Sequence, residues 1–376
     1  MQSINRKIVG YAVRAHSTEG TAAQPSAFVD DADRRLRLEK CPTPAVASLR
    51  WQRRPDLPAG NPGQCYMVSS PEGTFAMFVG HIEADGVRTP FEVWVNGEEA
   101  PRGLTDLARS LSIDMRCEDR AWLRRKLEAL SKTDGQPFDL MLPDGKVVVA
   151  RSAVDAFAKL VLFRCEELGA FSDEQLRDTP VLNAMMSRRE PRTNGMGSVG
   201  WFCDIENHST GDEFLVTLKE AVLEDGQKRP FSVWFSGSYP SSLDGLAKSL
   251  SLDMRLDPSW IARKLRQLVD VQERRGDFFA PIPGNAEGKQ KSYPSTVAYV
   301  AALIQYRFMV LGLLDEDGFP VTDTGVVRLS DIRNARAAEK VVGAGGADCG
   351  SCGSKGTVVR LDSCSTCVAC SSSVCG

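Results

Sequence analysis

Pro90-Phe91-Glu92-Val93-Trp94-Val95-Asn96-Gly97 returns 140 residues later as Pro230-Phe231-Ser232-Val233-Trp234-Phe235-Ser236-Gly237. An internal repeat of this length sets the organisation of a chain before any local pattern is weighed. Downstream, Leu107-Ala108-Arg109-Ser110-Leu111-Ser112-Ile113-Asp114-Met115-Arg116 is matched by Leu246-Ala247-Lys248-Ser249-Leu250-Ser251-Leu252-Asp253-Met254-Arg255. Trp122 and Arg125-Lys126-Leu127 return as Trp260 and Arg263-Lys264-Leu265, and Phe163-Arg164 with Leu168-Gly169 as Tyr306-Arg307 with Leu311-Gly312. The offset changes by only a few residues, as expected for two copies of one domain of ordinary size, over 61–172 and 198–318.

Within each copy the period of the apolar residues changes once. Phe75 to Ile82 and Phe91 to Val95 have strand character, as do Phe214 to Leu218 and Phe231 to Phe235. Asp85-Gly86 and Asp225-Gly226 fall between these runs, in connections longer than a two-residue hairpin turn. The spacing then becomes helical: Leu104, Leu107, Leu111 and Met115 in one copy, Leu243, Leu246, Leu250 and Met254 in the other. Trp122, Leu123, Leu127 and Leu130 begin a second helix, and Val154 to Leu168 form a third that stops at Gly169. The expected class is α+β: two tandem copies of a small sheet-plus-helices domain, followed by a short zinc-ribbon-like tail. Trp94, Trp234, Met115 and Met254 are expected in the cores, and Asp114 and Asp253 in ion pairs within their own domains.

The 376 residues contain 42% hydrophobic and 25% charged side chains, with a net charge of -3. Such a chain buries real cores and has no general cationic field, so a phosphate backbone is a poor partner. The apolar stretch Val297 to Leu314 is interrupted by Gln305, Tyr306 and Arg307, which suits a buried helix better than a membrane span. Residues 1–15 lack the apolar centre of a secretory signal, so a cytoplasmic location is expected. Residues 14–60 have linker composition. Residues 331–348 form a Gly-rich tether ending in Gly343-Ala344-Gly345-Gly346.

Six of the eleven cysteines lie in 349–376: Cys349, Cys352, Cys364, Cys367, Cys370 and Cys375. Two C-x-x-C pairs, Cys349/Cys352 and Cys367/Cys370, have the spacing of a tetrahedral zinc site. Zinc would replace the core that so short a segment lacks, since structural zinc binds small modules with about 10 to 16 kcal/mol. Cys364 and Cys375 are then surplus. Thiol exchange needs an accessible thiolate and a resolving cysteine, so Cys375 is a candidate carrier with Cys364 or Cys370 as its partner. The segment holds only Lys355 and Arg360 as cations and has no aromatic residue, which argues against nucleic acid. Cys41, Cys65, Cys117, Cys165 and Cys203 are isolated, as are His16, His81 and His208, and structural roles are expected for them.

The tail, Cys349-x-x-Cys352-Gly353 through Asp362-Ser363-Cys364-Ser365-x-Cys367-x-x-Cys370 to Cys375-Gly376, resembles the cysteine-rich C-terminus of class II, adenosylcobalamin-dependent ribonucleotide reductases. Ile4 to Val13 is similar to the segment with which that C-terminal region begins, and the repeats look like the TSCPD domain of these enzymes. The likeness is greatest to the separate small subunit of split class II reductases. It implies that 1–13 docks on a catalytic large chain, which alone carries the adenosylcobalamin. It further implies that the tail cysteines reduce that chain's active-site disulfide and are reset by a thioredoxin- or glutaredoxin-like dithiol donor. On this reading the chain is inactive by itself. The rival expectation is a zinc-ribbon protein-interaction or assembly-regulating module that passes no electrons.

Overall fold

The computed structural model describes residues 60–172 except 85, 118 and 119, residues 197–321 except 198, 223–225 and 257, and the segments 358–361, 364–367 and 373–375. The first unit begins with an antiparallel sheet, β1 (Gly63–Ser70), β2 (Gly73–Ala84) and β3 (Val87–Asn96), in the order β1-β2-β3. Helices α1 (Leu104–Met115) and α2 (Arg120–Leu130) follow, then a hairpin, β4 (Phe138–Met141) and β5 (Val147–Ala150), and α3 (Ala153–Glu167). The same order recurs: β6 (Gly200–Asn207), β7 (Asp212–Val222), β8 (Lys228–Ser238), α4 (Leu243–Asp253), α5 (Pro258–Leu268), β9 (Phe278–Pro281), β10 (Gln290–Tyr293) and α6 (Thr296–Val310). The protein is therefore of mixed α and β structure, with small antiparallel sheets and six helices among the described residues. None of those helices is long and apolar enough to cross a membrane.

Alternation along the strands builds one core in each unit. Phe75, Met77 and Val79 on β2 and Val93 and Val95 on β3 are buried against Leu104, Leu107, Leu111 and Met115 of α1. Phe214, Val216 and Leu218 lie in the second core with Leu243, Leu246, Leu250 and Met254 of α4. A serine pins each helix to its sheet: the Val93 amide donates to Ser112 Oγ at 3.0 Å, and the Val233 amide to Ser251 Oγ at 2.9 Å. Both long helices begin with a serine cap, Ser152 Oγ accepting from Asp155 N and Ser295 Oγ from Ala298 N. Both end in a left-handed glycine, Gly169 at φ 73° and Gly312 at φ 71°. There the amides of Ala170 and Leu313 close on the carbonyls of Cys165 and Phe308, a Schellman arrangement that satisfies otherwise open acceptors.

Three expectations are corrected. Trp94 and Trp234 are not core residues: they are 40% and 63% exposed on the outer sheet faces, while Met115 and Met254 are buried as expected. The strands β2 and β3 run further than their apolar centres, so Asp85-Gly86 is a two-residue connection with Ala84 opposite Val87. The corresponding β7–β8 connection is longer, with Val222 opposite Lys228. Finally, Asp114 and Asp253 are ion-paired across the two units as well as within them. Helices α1 and α2 pack on α4 and α5, and Gly245 of α4 leaves room there for Leu107 and Val154 of the first unit.

Candidate functional site

Of the six clustered cysteines, the structure describes the backbone of three. Strands β11 (Val358–Leu361), β12 (Cys364–Cys367) and β13 (Ser373–Cys375) form an antiparallel sheet in that order. Its register sets Cys364 directly opposite Cys375, while Cys367 is opposite Val358. Directly opposed residues in an antiparallel pair have Cα atoms about 4.5 to 5.5 Å apart, inside the range of about 4.4 to 6.8 Å that a disulfide spans. Cys349, Cys352 and Cys370 lie outside the described residues, as do the segments 1–13 and 331–348. Among the described residues no group of three or more potential metal ligands is assembled.

The remaining cysteines and histidines have structural settings. Cys117 and Cys165 are buried, and burial pushes the Cys165 thiol up to about 12, which removes thiolate reactivity. Cys65 is exposed and Cys203 half-buried, the latter thiol also raised by burial. His208 lies on the surface beside Glu206, and His81 is buried. Cys41 and His16 are outside the described residues.

Where the two units meet, four fully buried charged groups form a closed cluster. Lys126 Nζ donates to Asp114 Oδ2 at 2.9 Å and to Asp253 Oδ1 at 2.6 Å; Lys264 Nζ donates to Asp114 Oδ2 at 2.6 Å and to Asp253 Oδ2 at 3.0 Å. Each carboxylate also accepts an indole N–H at 3.0 Å, Asp114 from Trp122 and Asp253 from Trp260. Two lysines balance two aspartates, so an uncharged assembly replaces solvent for all four. Burial opposes ionisation of Asp114, but Lys126 and Lys264 outweigh it and hold its carboxyl below the usual range. The repeated Trp, Lys and Asp positions thus fix the two units against each other. Arg116 and Arg255 stack on Phe91 and Phe231, at 4.5 and 4.4 Å from the ring centres.

A cleft of about 440 Å³ opens at one edge of this junction, lined by Glu72, Glu99, Arg102, Asp212, Tyr239 and Ser241 among others. Its guanidinium is already engaged: Arg102 forms a two-pronged bond with Asp212 at 2.9 and 2.6 Å and also reaches Glu273. Burial raises the Asp212 carboxyl, and the bonds from Arg102, Thr296 and Thr210 more than reverse the effect. Glu72 accepts from Ser241 Oγ at 2.7 Å across the junction. These groups clamp the units together. The Arg102 clamp and the bonds of the lysine–aspartate cluster that cross between the units have no local sequence signature, because those partners are more than a hundred residues apart.

No protein-family model, no curated protein and no solved structure matches the chain.

Proposed function

We propose that the chain is an accessory redox subunit of a class II ribonucleotide reductase, with two copies of a TSCPD-like domain and a zinc-binding, thiol-exchanging tail. The observation that carries this reading is the opposition of Cys364 and Cys375 on neighbouring strands, a pair that a four-sulfur zinc site does not need. The register favours Cys364 over Cys370 as the partner of Cys375. Residues 1–13 and the paired units dock on the catalytic chain, and 331–348 tether the tail.

In the exchange, the thiolate of one member of the pair attacks a sulfur of the catalytic chain's disulfide. A mixed disulfide forms and one partner thiolate leaves. The thiolate of the other member then attacks the tail sulfur of that mixed disulfide, the Cys364–Cys375 bond forms, and the second partner thiolate departs. Two electrons pass to the catalytic chain, and the two protons lost by the tail thiols end on the thiols released. An external dithiol donor reverses the change in the tail.

The donor set Cys349, Cys352, Cys367 and Cys370 suits zinc, four soft sulfurs at C-x-x-C spacing. Bound zinc supplies folding free energy and keeps its four ligands deprotonated. Cys364 and Cys375 remain outside that set and available for exchange.

The test is multiple turnover of the catalytic chain with a dithiol donor. Addition of this protein is expected to sustain turnover, and its Cys375→Ser form to stop after about one equivalent of product. Equal rates with the two forms sink the electron-carrier reading and leave an interaction module.

A further inference from the structure

The two units differ at one buried position that their common strand geometry places in register. Each long strand has a bulge, between Gly80 and His81 in β2 and between Lys219 and Glu220 in β7. The residue after the bulge donates its amide to the segment before the first strand, His81 to the Pro62 carbonyl and Glu220 to the Val199 carbonyl. It is paired with a proline on the next strand, Pro90 or Pro230. In the second unit this position faces the arginine of the last helix: Arg307 Nε donates to Glu220 Oε1 at 2.5 Å, with the Glu220 side chain fully buried.

In the first unit Arg164 stands where Arg307 does, but the strand offers His81 instead of a carboxylate. Arg164 Nη1 turns to Glu167 on its own helix at 2.6 Å, and Nε, the atom that holds Glu220 in the other unit, has no partner among the described residues. The same is true of His81 Nδ1 and Tyr66 Oη, also buried. His81 is 7% and Arg164 8% exposed, so neither group recovers the missing bond from bulk water. Arg164 is the strongest charge acting on both Tyr66 and His81. Arg88 adds a second cation near His81, with Glu83 opposing it; Glu167 and Cys165 are the other groups felt at Tyr66. Two buried unsatisfied atoms, His81 Nδ1 and Tyr66 Oη, beside a cation whose own Nε is unsatisfied, next to the position where the sister unit holds a carboxylate, define a site that lacks its acceptor.

We propose that the first unit binds a small oxyanion, a carboxylate or phosphate group, between Tyr66, His81 and Arg164, where it takes the part that the Glu220 carboxylate has toward Arg307 in the second unit. The guanidinium Nε and the phenol donate to the anion, and the imidazole presents Nδ1–H in the matching tautomer. The second unit carries its anion covalently, as the Glu220 carboxylate.

The full chain is titrated with inorganic phosphate and, separately, with acetate, at ionic strength held constant with chloride, following thermal unfolding and isothermal heat. The expected result is a saturable rise in Tm of roughly 3 °C with one equivalent bound. A response to acetate alone assigns a carboxylate, and a response to phosphate assigns a phosphate-bearing ligand. His81→Glu supplies the carboxylate internally; this variant should match or exceed the wild-type Tm without anion and lose the response. Arg164→Gln should lose the response as well. No saturable binding of either anion by the wild type, or an undiminished response in His81→Glu, overturns the proposal.

Discussion

Asp106 is mostly buried on α1, and that burial, with Glu273 adding to it against Arg109, pushes its carboxyl up to about 7. A carboxyl whose folded value is raised contributes its stability below the unfolded value near 4 and loses it as pH climbs to about 7. Asp106→Asn is therefore expected to flatten the pH dependence of stability between about 4 and 7 and to stabilise the protein at pH 8 by on the order of 2 kcal/mol. Urea unfolding at pH 4.5 and pH 8 measures both effects, and an unchanged difference between the two pH values refutes the assignment. Gly169 tests a different residue-scale cause. Nothing stands within 4 Å of where a methyl group would sit, so Gly169→Ala is strained only through φ +73°. The cost should be about 1 to 2 kcal/mol, a fall in Tm of roughly 2 to 8 °C in calorimetry.

At the level of elements, helices were the more legible. Leucines at helical spacing and the stop at Gly169 act within one or two turns, so Leu104–Met115 and Ala153–Glu167 follow from adjacent residues. Strands β2 and β3 were recognised at their centres but not at their ends, because the bulge at Gly80/His81 puts successive residues on the buried side and breaks the two-residue period. Strand β1 escaped notice since only Val68 of its eight residues is buried, and the short hairpin β4–β5 is mostly exposed. Trp94 and Trp234 misled for a related reason: a large apolar side chain favours a sheet without specifying which face it occupies. In the tail, the cysteines and their spacing were evident, whereas the pairing of Cys364 with Cys375 depends on strand register.

At the scale of the molecule, the lysine–aspartate cluster is the feature on which the junction between units depends. Lys126→Met leaves two carboxylates and one lysine fully buried, and removal of one partner from such a group costs about 3 to 5 kcal/mol. Chemical denaturation should show that loss, and Lys126→Met with Asp253→Asn should recover at least half of it because charge balance returns. A double variant no more stable than the single one would mean that packing of the Lys126 stem, rather than charge, holds the junction. The cleft edged by Arg102 and Asp212 belongs to the same junction and owes its shape to it.

The sequence alone determined that the chain repeats itself, that each unit combines strands with amphipathic helices, and that the cysteines gather at one end. These follow from periodicity and spacing, which act between neighbours and are written in order along the chain. Only the tertiary structure decided that Asp114 meets Lys264, that Arg307 pairs with a carboxylate on the strand while Arg164 pairs with Glu167 of its own helix, and that two tryptophans face outward. Such pairings arise when distant segments exclude water together, and the free energy of a buried charge depends on what surrounds it in space rather than on what precedes it in sequence.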